Sequence, residues 1–110
     1  MKELKEEFKL HGFDYYQMYK SKNVVAYAVV RNYPTCKVID FEIFKYRISR
    51  VTIFVNEECE SYPSDKAFGV WAWSCSDIPC VDKVLKKHFP KLTEKERNDV
   101  MVECLKAYAI

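Results

Sequence analysis

The segment Val24 to Arg31 (VVAYAVVR) constrains this chain most. Its first seven residues are all apolar and mostly β-branched, so an extended backbone here has no polar side. That is the pattern of an interior strand. The run is far shorter than the roughly 20 residues a membrane span needs. The residues ahead of it supply a partner. Phe13, Tyr15 and Tyr19 share one parity, with Gln17 interrupting, and Ser21-Lys22-Asn23 reads as a turn because Asn tolerates positive φ. The two segments predict a hairpin. Residues 1–11 place Leu4 and Phe8 four apart among charges, which fits a short helix or a flexible arm.

After the break at Asn32-Tyr33-Pro34-Thr35, a long segment runs from Val38 to Ile48. Ile39, Phe41 and Ile43 alternate with Asp40 and Glu42, a half-buried strand with its carboxylates on the wet side. Beyond Phe44 the apolar parity switches to Phe44, Tyr46 and Ile48, which requires a bulge or a new packing partner. Arg50 to Val55 reads as a further strand and Asn56 to Ser61 as a solvated acidic loop. Tyr62-Pro63-Ser64-Asp65 is a turn, with Ser64 opening one helical turn. In Phe68 to Cys75 the aromatic content and Gly69 favour strand over helix, which would put Trp71 and Trp73 on one side.

The last third is helical. Ser76 or Asp77 can cap, Pro79 is tolerated in a first turn, and Val81, Val84, Leu85 and Phe89 form one stripe. Thr93 and Glu96 fit a capping box in which each satisfies the other's backbone N–H. Val100, Met101, Cys104, Leu105 and Tyr108 make the apolar face that should dock the final helix. Strands first and helices last predict an α+β fold, an antiparallel sheet of four or five strands with two C-terminal helices packed on it. At 110 residues, residues 1–110 fit a single domain that buries about two thirds of its surface, enough for one core and not for two.

Little points to catalysis. The five cysteines are odd in number and irregularly spaced, as reduced thiols in a cytoplasmic protein would be, and no apolar leader segment is visible at the N-terminus. Structural zinc needs paired ligands, and Cys75 and Cys80 have no second pair. They can lie close across a strand-to-helix turn, but no C-x-x-C lowers a thiol pKa there. Cys80 and His88 sit roughly 12 Å apart along one helix, too far for a dyad. No catalytic residue, metal or cofactor is therefore assigned. Eighteen Lys and Arg against sixteen Asp and Glu give a net charge of +2, which selects no class of partner.

Seventeen aromatics exceed what one small core needs. Tyr62, Trp71 and Trp73 are accordingly candidate anchors for a protein partner, and an exposed edge strand would allow a homodimer. The alternative is single-stranded nucleic acid, with bases on the sheet aromatics and phosphates on the Lys45/Arg47/Arg50 row and on the Lys83/Lys86/Lys87/Lys91 face.

Tyr62-Pro63-Ser64-Asp65-Lys66-Ala67-Phe68-Gly69-Val70-Trp71-Ala72-Trp73, after the Phe41-Glu42-Ile43-Phe44-Lys45 strand, resembles a segment of small uncharacterised proteins of phages and mobile elements of gut bacteria. The resemblance covers roughly Phe41 to Phe89. The chain departs from it in the helix after Thr93 and in lacking a Gly-Gly turn between the strands. What it implies is a genomic setting, not a chemistry. The expectation is a non-enzymatic accessory module that binds another protein.

Overall fold

The computed structural model describes residues 1–50 and 58–108. Strands β1 (Glu7–Leu10), β2 (Phe13–Lys20), β3 (Val25–Arg31), β4 (Lys37–Phe44) and β7 (Ala72–Cys75) form one antiparallel sheet in the order β1-β2-β3-β4-β7. A second, two-stranded sheet pairs β5 (Ile48–Arg50) with β6 (Glu58–Glu60). Helices α1 (Ile78–His88) and α2 (Glu94–Ala107) follow, so the α+β architecture predicted from the sequence is the one that forms. The strand expected at Arg50 to Val55 is described only at Arg50. Val51 to Val55, with Asn56 and Glu57 of the expected acidic loop, lie outside the described residues.

The strand apolar on both faces occupies the middle of the sheet and is buried on both. Ala26, Ala28 and Val30, with Val24 just ahead, pack under the helices against Phe41, Ile43, Val81, Leu85, Val100 and Cys104. Val25, Tyr27 and Val29 face a second cluster on the opposite side, with Tyr15, Phe44, Ala67 and Ala72. The expectation of one core is therefore corrected to two. Aromatic rings build the second. Tyr62 presents edge-to-face contacts to Phe8, Phe44 and Tyr27 at centroid separations of 5.1, 5.5 and 5.7 Å. Phe8 also stacks on Tyr15 at 4.8 Å. Such offset and perpendicular pairs are the favoured aromatic geometries.

Covering that second face requires the N-terminus, and here the arm or short helix is overturned. His11 (φ 53°) and Gly12 (φ 83°) both take left-handed conformations, the pattern of a two-residue type I′ hairpin, and Leu10 pairs with Phe13. Residues 2–5 are tied down as well. The Lys2 N–H donates to the Glu58 carbonyl at 3.0 Å and the Glu60 N–H to the Lys2 carbonyl at 2.9 Å. Tyr27 Oη donates to the Lys5 carbonyl at 2.6 Å.

Irregularities change which side chains share a face. The β3–β4 register shifts between Val29 and Val30, so Ile39 packs with the aromatic cluster while Phe41 and Ile43 face the helices, not all on one face as expected. The β2–β3 register shifts between Gln17 and Tyr19, so Tyr15 faces the aromatic cluster while Tyr16, Met18 and Tyr19 face the helices. A β-bulge produces this reversal, because one extra residue flips every later side chain. The expected single parity of Phe13, Tyr15 and Tyr19 thus fails. β4 ends at Phe44, and the parity switch noted there marks its end and not a bend in one strand running to Ile48. In the Phe68 to Cys75 segment only Ala72–Cys75 is strand. Gly69 (φ 88°) turns the chain, which puts Trp71 with the second cluster and Trp73 on the helix side, not together as expected.

Asp77 caps α1 by accepting from the Cys80 N–H at 2.9 Å. Thr93 caps α2 through the Glu96 N–H at 3.1 Å, but Glu96 does not complete the box. Its carboxylate instead accepts from Tyr19 Oη, Ser21 Oγ and Asn23 Nδ2. α2 docks through Val100, Cys104 and Ala107. Tyr108, half exposed, still packs its ring edge-on to Phe41 of β4 at 5.4 Å, as expected, whereas Leu105 is 56% exposed and its expected docking role is corrected.

Candidate functional site

The carboxylates expected to be wet are the first surprise. Glu42 is only 9% exposed and accepts a hydrogen bond from Tyr62 Oη within the second cluster. Burial pushes its carboxyl above the usual range, the Tyr62 bond opposes this, and nearby Asp40 adds to it. Burial also raises Asp40. The solvated acidic loop is corrected at Glu60, whose side chain is 5% exposed. It accepts from Lys20 Nζ at 2.8 Å, Tyr46 Oη at 2.6 Å and the Leu4 N–H at 2.9 Å. Burial favours its neutral form, but these donors outweigh burial and hold it below the usual range. Glu60 is a structural clasp between the N-terminal segment, β2 and β6.

Thiol chemistry is suppressed at the two buried cysteines. Cys75 and Cys104 are fully buried. Burial pushes the Cys75 thiol up, reinforced by a hydrogen bond with Cys80 across the strand-to-helix turn. Burial pushes Cys104 up to about 12. The thiolate is the nucleophile and metal ligand, so both are inert at neutral pH. Among the described residues no group of three or more His, Cys, Asp or Glu is placed to hold a metal.

The three candidate anchors do not converge. Tyr62 is the hub of the aromatic cluster. Trp71 lies under the Arg47 guanidinium, 4.9 Å from the ring centroid, and packs edge-on to Phe44. Trp73, on the opposite face, stacks on His88 at 4.1 Å and 15°. The aromatic surplus has gone into a second core.

The basic residues also divide. Arg47 covers Trp71 on the aromatic side. Arg50 ends β5 in the small sheet. Lys45 joins Lys22, Asn23, His88 and Lys91 around a cleft of about 280 Å³. Lys83 and Lys87 are exposed on α1.

A different surface emerges between β2 and α2. Two depressions, about 580 and 210 Å³, share Met18, Glu103 and Lys106 and form one open groove. Tyr16, Met18 and Tyr19 make its floor, and Asp99, Val102 and Lys106 line the α2 side. Met18 shares the face of Tyr16 by alternation, the bulge adds Tyr19 to it, and α2, docked through its buried stripe, leaves them half covered. Val102, 46% exposed, and Leu105 lie on the outer part of the same helix. The sequence did carry a signal: Val102 is apolar yet falls outside the docking stripe of α2.

No family model matches the chain, and no curated protein and no solved structure matches it. No helix among the described residues is long and apolar enough to cross a membrane.

Proposed function

We propose that the chain is a non-enzymatic protein-binding module whose docking surface is the groove between β2 and α2. The observation that carries this reading is an apolar floor of Tyr16, Met18 and Tyr19 left half covered beside exposed Val102. An amphipathic helix of a partner fits best. Its apolar face would meet Met18 and Val102, and basic residues at its edge would meet Asp99, a carboxylate of the groove wall that makes no ion pair among the described residues. The resemblance to phage and mobile-element proteins would make that partner part of a host or element-encoded complex. The module would act by occupying a surface there, as an accessory or modulator in the cytoplasm.

Val102→Asp puts a charge into the groove at a position whose exposure spares the fold. Copurification after nuclease treatment should recover a stoichiometric protein with the wild type and lose it with Val102→Asp. Retention of the same partner by the variant would contradict this assignment.

A further inference from the structure

At one end of the sheet, four segments converge on a second concave site that shares no residue with the groove. Lys22 and Asn23 come from the β2–β3 turn, Lys45 follows β4, His88 ends α1, and Lys91 lies between the helices. No carboxylate lines the cleft. Among the described residues none of its three lysines forms an ion pair. Glu96, which reaches Asn23 from α2, is already occupied by three donors, two of them from Tyr19 and Ser21. Lysines near a helix C-terminus commonly serve the helix dipole. That explains Lys86, Lys87 and His88 in the last turn of α1, and it does not explain Lys22 in the β2–β3 turn or Lys45 just after β4.

The rest of the lining is apolar: Phe89, Pro90 and Leu92. Trp73, stacked on His88, is half-buried beside it. Cations over an apolar lining match a chain that alternates phosphates with unpaired rings. A duplex would offer the phosphates and keep its rings stacked inside. An open cleft, with Lys87 and Lys83 continuing along α1, suits a polyanion better than one enclosed ion. We propose that this cleft binds single-stranded nucleic acid, with Lys22, Lys45 and Lys91 on its phosphates.

The test measures binding of a fluorescent oligothymidylate to the whole protein by anisotropy, across a salt series. Three phosphate contacts predict a slope of about −2 for log affinity against log salt. The pair Lys45→Glu/Lys91→Glu should lower affinity about tenfold or more and flatten the slope by about 1.4. All three lysines are exposed, so the fold should survive. Lys66→Glu, exposed on the 3-10 turn at Asp65–Ala67, should change affinity less than about twofold. No binding at low salt, equal loss in Lys66→Glu, or equal affinity for a duplex of the same length would overturn the proposal. So would displacement of the strand by millimolar inorganic phosphate, which would mark a site for a single anion.

Discussion

Tyr62→Ala is expected to destabilise the protein by about 3 kcal/mol, the low end of the range for deleting a large buried ring, because the ring is half-buried. The ring touches Phe8, Tyr27, Phe44 and Tyr15, and its hydroxyl is a donor to a nearly buried carboxylate. Tyr62→Phe keeps the ring and removes only that donor, and should cost about 1–3 kcal/mol for the unsatisfied Glu42. The Glu42 carboxyl also fixes a pH dependence. Its folded pKa is raised, so the stability it contributes is complete below its unfolded value, near 4.5, and is lost as pH rises through the folded one. Glu42→Gln should therefore lose less stability than wild type as pH rises from about 5 to about 8. Urea denaturation reads all three variants. A Tyr62→Ala change under about 1 kcal/mol would mean that the ring is a surface anchor and not the hub of a core.

The second large effect contrasts two leucines in the two helices. Leu85 is fully buried between α1 and the sheet, and Leu85→Ala should cost about 2–5 kcal/mol. Leu105 sits on the outside of α2, and Leu105→Ala should stay within about 0.5 kcal/mol. A loss of about 2 kcal/mol or more at Leu105 would show that the side chain is covered in solution, by this chain or by a second copy.

These leucines illustrate what a sequence pattern carries. The stripe of α1 was legible because Val81 and Leu85 recur at helical spacing and the helix has one face to bury. The final helix has apolar residues on more of its circumference, so periodicity alone could not say which of them face the sheet. Val100, Cys104 and Ala107 do, and Tyr108 reaches Phe41 with its ring, while Met101 is half covered and Val102 and Leu105 stand out. The central strand was legible for the same reason as α1, since no polar parity interrupts it.

The second core was hidden by two polar residues. Asp40 and Glu42 alternate with Ile39, Phe41 and Ile43 as on a half-wet strand, and only the distant hydroxyl of Tyr62 makes burial of Glu42 tolerable. A partner twenty residues away leaves no local trace. The β2 bulge was equally silent, because it inserts a residue without any special residue type at Met18. It nonetheless shapes the candidate site, since without it Tyr19 would leave the face that Tyr16 and Met18 share. The basic cleft is hidden for a topological reason. The sequence offers Lys45 and Lys91 on two separate basic rows, and they meet each other and Lys22 only once the β2–β3 turn and the inter-helix connection come together at the end of the sheet.

The groove is most directly tested by a photo-crosslinking amino acid placed at Val102 in one variant and at Val70 in another. Both positions are exposed, and only Val102 lines the groove. Irradiation in the native host should give one discrete protein adduct from position 102 and none from position 70. Adducts from position 70 alone, or from neither, would contradict a docking surface between β2 and α2.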